Sequence, residues 1–273
     1  MSIALIASFL LLGACTGFAA GLLGLGGGML LVPFITMLLT MHGFPPDDIV
    51  KMAISTSLAT ILFTSLSSVR AHARHGAVRW PIVRSLTPGI IIGTILGAHV
   101  ASLLPGSLLA IGFGLFVGAM ATQMFLHRPI RSARTLPGSA GMIGAGGAIG
   151  VLSALVGAGG GFLTVPFLTR SNVPIHQAVA TSAACGFPIA LAGTVGYILA
   201  GWERDLPAGA IGYIYLPALA TIAVTSVLTA PLGARVAHAT SVDRLRRLFA
   251  LLLYVLAAYM MWHGLVGTFG GSA

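Results

Sequence analysis

From Leu248 to Val266 the chain runs nineteen residues without Asp, Glu, Lys or Arg. A helix of that length, at about 1.5 Å per residue, reaches across the ~30 Å hydrocarbon core of a bilayer. Comparable apolar segments recur near residues 3–23, 50–69, 83–103, 107–126, 139–156, 176–200 and 209–233. They are continuous rather than alternating, which excludes a transmembrane β-barrel. Only 7% of the residues are charged, against about a quarter in soluble domains. So little polar surface cannot clothe a water-soluble globule, and the solvent is lipid. The fold expected is an all-α, multi-pass integral membrane protein.

The formal net charge is +9, which in a soluble protein would suggest nucleic acid. Here the arginines lie in short connections between spans, as the positive-inside rule requires, and no nucleic acid is expected as a partner. Trp80, Trp202 and Trp262 fall near span ends, where interfacial anchors belong. Cys15 and Cys185 lie inside apolar runs and read as buried, inert thiols. Leu12-Gly13-Ala14-Cys15 has the look of a lipoprotein processing site, but no Lys or Arg precedes it and no cleavage is expected.

The chain contains an internal repeat. Residues 21–34, GLLGLGGGMLLVPF, align without gaps on residues 154–167, ALVGAGGGFLTVPF, with nine of fourteen positions identical. Farther on, Ala53-Ile-Ser-Thr-Ser57 matches Ala178-Val-Ala-Thr-Ser182. Two motif pairs in the same order point to duplication. The first repeat covers 1–127, a basic cytoplasmic linker 128–138, and the second repeat 139–273.

Charge in the connections predicts how the halves sit. Arg70, Arg74, Arg79 and Arg84 mark one cytoplasmic loop, Arg128, Arg131 and Arg134 a second, and Arg235, Arg244, Arg246 and Arg247 a third. The third stays inside only if 139–169 enters and returns as a hairpin bent at Gly157–Gly161. Arg170 is then inside and the Glu203–Asp205 loop outside. The same hairpin in the first half puts Asp47, Asp48 and the N-terminus outside. The expectation is two inverted-topology repeats, each a glycine-broken re-entrant hairpin plus about three transmembrane helices.

The breaks are where chemistry can occur. Gly24, Gly26, Gly27 and Gly28, and again Gly157, Gly159, Gly160 and Gly161, cannot continue a comfortable helix. Broken backbone in a membrane is tolerated when it is buried in protein or lines a wet cavity. Breaks in two inverted halves would meet near the midplane, offering free N–H groups to an anion. Pro33 and Pro166 can begin or kink the arm that follows. Glycines at these places also serve close helix packing, which is the competing reading. Ser55, Thr56 and Ser57, with Thr181 and Ser182, could donate to a bound oxyanion without a buried charge. They could equally bond their own or a neighbouring helix. Thr60 and Thr64 are weaker candidates.

All five carboxylates lie in loops or at span edges. That disfavours cation binding or proton coupling through a buried acid. His99 and Gln123 are the strongly polar side chains deepest in spans, as gating or proton-relay groups or as packed neutral residues. Lys51 and His176 precede the two Ser/Thr motifs; they would attract an anion to the entrance or snorkel at a helix end. There is no metal-ligand motif, no cofactor motif, no nucleophile elbow and no phosphate-binding loop. The chain does not read as an enzyme.

With its paired GLGGGMLLVPF (24–34) and GAGGGFLTVPF (157–167) and its Ile54-Ser-Thr-Ser-Leu58, the chain resembles the TauE/SafE family of sulfite and organosulfonate transporters over nearly its full length. The resemblance implies a bacterial-type inner-membrane exporter or importer of small sulfur-containing anions. Ala180-Thr-Ser-Ala183 departs from the first half's Ser-Thr-Ser-Leu, so the two hydroxyl motifs need not act alike. The function expected is alternating-access secondary transport of such an anion, most simply export. The alternatives are a transporter of another small solute and a non-transporting membrane subunit or sensor. Oligomeric state is left open.

Overall fold

The computed structural model describes residues 3–23, 28–74, 76–126, 135–237 and 242–269. The repeated apolar stretches form helices, and the second glycine motif separates two of them. The first part of the chain folds as α1 (Ile3–Leu23), α2 (Gly28–Met41), α3 (Pro46–Arg74), α4 (Trp80–Leu103) and α5 (Gly106–Phe125). The second follows as α6 (Ser139–Val156), α7 (Gly161–Arg170), α8 (Ile175–Ala200), α9 (Leu216–Ala237) and α10 (Val242–Phe269). Among the described residues six helices are long and apolar enough to cross a membrane, and Ala4–Ala19, Gly28–Met41 and Leu216–Thr229 are shorter apolar stretches.

Prolines set several helix starts. Pro81 lies in the first turn of α4 and Pro105 and Pro174 stand just before α5 and α8, positions where a missing N–H costs nothing. Pro33 and Pro166 instead sit within α2 and α7, each one and a half turns from the break.

Glycine lets backbones touch, and the contacts form reciprocal pairs. A Cβ added to Gly13 of α1 would stand 2.7 Å from Ile222 Cα of α9, and one on Gly17 would stand 2.5 Å from the Ser226 carbonyl. At matching places α6 meets α4. Gly146 lies against Leu86 and Ile90, and a Cβ on Gly150 would be 2.5 Å from the Ile90 carbonyl. Both pairs run parallel. The helices α3 and α8 cross antiparallel, with Gly193 against Leu58 and Gly186 against Ser65. So do α5 and α10, where Gly114 meets Ala257 and Met261 while Gly264 meets Ser107 and Ile111. The helices α1, α3, α4 and α5 each pack on a partner from the second part, while α2 packs mainly on α3, so neither half buries its surface alone. The centre is α3, in which every residue from Ile49 to Ile61 is buried.

Three expectations need correction. The segment 209–233 is not one span: β1 (Ala210–Ile211) and β2 (Ile214–Tyr215) form an antiparallel ribbon before α9 begins. Gly209 and Gly212 adopt φ of 92° and 52°, turning the chain where hydropathy alone sees a continuous helix. Cys15 is exposed, whereas Cys185 is buried; the faces of Gly13 and Gly17 that abut α9 turn residue 15 outward. Trp262 stands exposed within α10 rather than at its end. Trp80, at the first residue of α4, and Trp202, just beyond α8, do mark helix ends.

Candidate functional site

The second glycine motif is a true interruption. Val156 ends α6; Gly157 takes a left-handed conformation (φ 67°, ψ 28°), and its N–H and that of Ala158 return to the Ser153 carbonyl. Gly160 is left-handed as well (φ 74°, ψ −8°), and its carbonyl accepts from Leu163 and Thr164 as α7 starts. An L-residue pays about 1–2 kcal/mol at each such position. With glycine at the N-cap, no side chain covers the first amides of α7, and that end carries the positive pole of the helix.

The two motifs meet. A Cβ on Gly28, the first residue of α2, would be 2.8 Å from the Gly157 carbonyl and 3.2 Å from Ala158 Cα. Gly24, Gly26 and Gly27 lie outside the described residues, as does the arginine cluster of the linker at 128–134. Around Gly157 press Val32 of α2 and the backbone of Ile54 in α3. Ile61 stands over Gly159, and Gly186 of α8 stands against the Gly159 carbonyl. The second break is therefore wedged between elements of the first part.

Hydroxyls tie this junction together. Ser57 Oγ is 2.9 Å from the Gly157 carbonyl oxygen and 3.3 Å from that of Gly28, so one proton serves two carbonyls, one from each motif. Thr56 Oγ1 accepts from the backbone N–H of Tyr215 at 3.0 Å, the residue before α9. Thr181 Oγ1 accepts from the backbone N–H of Arg79 at 3.0 Å, the residue before α4. Each threonine thus braces the start of a helix in the other half. Ser55 Oγ donates to the Tyr213 carbonyl at 2.7 Å. Ser182, buried like the rest, has no partner for its Oγ. Thr60 and Thr64 donate to carbonyls of their own helix.

Other expected groups are not brought to the junction. His99 is exposed on α4, on the outward face that also carries Ile95, Leu96 and Val100. It does not pack between helices, because the inward face belongs to Gly93 and Gly97 against α6. Gln123 is half-buried near the far end of α5, and His176 is exposed. Lys51 does not snorkel; it is only 5% exposed, and its Nζ donates to the Ser102 carbonyl at 3.0 Å.

Two groups escaped sequence reasoning. Thr164, in the first turn of α7, is fully buried with an unpartnered Oγ1, and a Cβ on Gly160 would lie 3.5 Å from that oxygen. It aligns with Leu31 of the first motif, so a search for repeated polar residues passes over it. Tyr213 lay hidden in a segment read as a span. Its ring is fully buried, and burial raises its phenol above the ordinary tyrosine range while Arg204 pulls the other way.

Known proteins match this chain along most of its length. The family model described as "Sulfite exporter TauE/SafE" matches residues 9–260. A "Probable membrane transporter protein" of Haemophilus influenzae is 37% identical over 254 residues, covering 92% of this chain and 96% of the relative. One of Methanocaldococcus jannaschii is 29% identical over 260 residues, covering 92% and 94%. One of Bacillus subtilis is 31% identical over 210 residues, covering 70% and 77%. No solved structure matches. These relatives carry the name of probable membrane transporters, and with its multi-pass helical architecture this chain belongs to the TauE/SafE family of membrane transporters.

Proposed function

We propose that the chain is a secondary transporter of a small sulfur oxyanion, sulfite or an organosulfonate, in a bacterial-type inner membrane. The observation that carries this reading is the junction itself. Two glycine motifs, from 1–127 and 139–273, meet at Gly28 and Gly157 and are bridged by Ser57. Beside them lie an uncapped helix start and the unpartnered buried hydroxyl of Thr164, while Ser182, also buried and unpartnered, stands one turn before Gly186 on α8. Such a site offers donors and a positive helix pole without a buried carboxylate, which suits an anion. The family description supplies the sulfur chemistry.

The proposed mechanism is alternating access between inverted halves. It is supported by the antiparallel crossings of α3 with α8 and of α5 with α10, and by the exchanged packing of α1 on α9 and α6 on α4. In this reading Thr56 and Thr181 brace helix starts toward opposite membrane faces. Ser57, Ser182, Thr164 and the amides of Gly159–Gly161 hold the anion. An inside-negative potential drives an anion outward by about 2.3 kcal/mol per charge per 100 mV, so export needs no buried proton carrier.

The test is flux of sulfite, sulfoacetate and taurine in proteoliposomes under an imposed potential. Sulfur-anion flux that follows the potential is expected. Protein that folds but exchanges none of these anions overturns the proposal.

A further inference from the structure

At the end of α3 remote from the arginines lies a second polar group of residues, away from the glycine junction. Lys51 is the sixth residue of α3 and is buried. Its ammonium has three donors. One goes to the Ser102 carbonyl, and the group also stands 5.7 Å from the centroid of the Tyr213 ring. Asp47 and Asp48, one turn back on α3, and Arg204 of the loop after α8 act on it only through space. A buried ammonium held by one carbonyl and a ring face is poorly compensated, and the deficit is largest where water is excluded.

Tyr213 has its ring next to this ammonium. Its backbone is fixed on both sides, the N–H to the Tyr197 carbonyl at 3.4 Å and the carbonyl to Ser55 Oγ at 2.7 Å. Its ring is held edge-on by Tyr197, with centroids 6.2 Å apart. The hydroxyl on this rigid ring is buried and has no hydrogen-bond partner. Packing gives no reason for an oxygen there, since Phe fills the same volume without the desolvation cost.

We propose that Lys51 and Tyr213 form an anion-binding station distinct from the glycine junction, which takes a singly charged sulfur oxyanion between the ammonium and the phenol O–H. A single ammonium neutralises a single negative charge, and the phenol adds one directed donor to a second oxygen. Its place beside Ser55 and Thr56, on the helix that runs to the junction, makes it a stop on the path to that site. The sulfur chemistry of the anion and this last step rest on the transport reading; the anion station itself does not.

The probe is sulfite added to the purified full-length protein, with thermal stabilisation as the readout. Tyr213→Phe removes only an unpartnered oxygen, so it is expected to unfold at or above the wild-type temperature without ligand. It is expected to need about three- to tenfold more sulfite for the same stabilisation. Lys51→Met is expected to need at least tenfold more, and Lys51→Arg to recover most of the difference. If sulfite stabilises Tyr213→Phe as well as wild type, or stabilises wild type not at all, the station is overturned. Absent flux in proteoliposomes together with intact sulfite stabilisation would instead overturn the transport function and leave the station standing.

Discussion

Ser57 Oγ stands 2.9 Å from the carbonyl oxygen of Gly157, joining the central helix of the first half to the chain break of the second. The contact exists because Gly157 has no side chain and its left-handed φ of 67° turns its carbonyl toward α3. Losing a buried hydrogen bond of this kind costs about 1 kcal/mol. Ser57→Ala should therefore lower the unfolding temperature by about 2–4 °C and reduce sulfite flux by more than that small loss explains. Flux at the wild-type level would remove Ser57 from the substrate site.

The glycines divide into those that meet something and those that do not. A Cβ on Gly157 would lie 2.7 Å from Val32 Cγ2, and Gly160 combines a φ of 74° with close contact to Ile189. Gly157→Ala and Gly160→Ala should each cost at least the 1–2 kcal/mol of a left-handed L-residue and abolish flux. Nothing lies within 4 Å of a Cβ on Gly112 or Gly144. Alanine at those two sites should be neutral or stabilising by up to about 1 kcal/mol. Thermal unfolding of the four variants side by side checks the division.

Thr181 and Thr56 are braces in this conformation, each accepting an N–H from the residue before a helix of the other half. Thr181→Val keeps the shape and loses the acceptor, at a cost of about 1 kcal/mol; Thr181→Ser should retain it. Thr56→Val with Thr181→Val should add nearly independently, while the sulfite KM stays within about twofold. A tenfold rise in KM at unchanged stability would show that the two hydroxyls hold substrate.

The parallel contact of α4 with α6 has no room for a side chain. A Cβ on Gly93 would collide with the Gly147 backbone, which cannot move aside as a side chain could. Gly93→Val should prevent accumulation of folded protein in the membrane, well beyond the 1–3 kcal/mol of ordinary overpacking. Folded, monodisperse Gly93→Val in detergent would contradict the crossing.

The amino-acid sequence by itself determined the membrane class, the repeated words, the place of the break at Gly157–Gly161 and the family. Each of these depends on local quantities: length of apolar run, absence of charge, glycine density, repeated words. Which hydroxyls are spoken for was a matter of tertiary structure. Ser57 and Ser182 occupy equivalent words, yet one bridges two carbonyls and the other has no partner. The same holds for Lys51, buried, against His176, exposed, and for His99, which faces outward from a span that reads as uniformly apolar. In lipid both faces of a helix are apolar, so hydrophobic periodicity no longer tells inside from outside. Only the glycine-to-backbone contacts between distant helices decide which face turns inward.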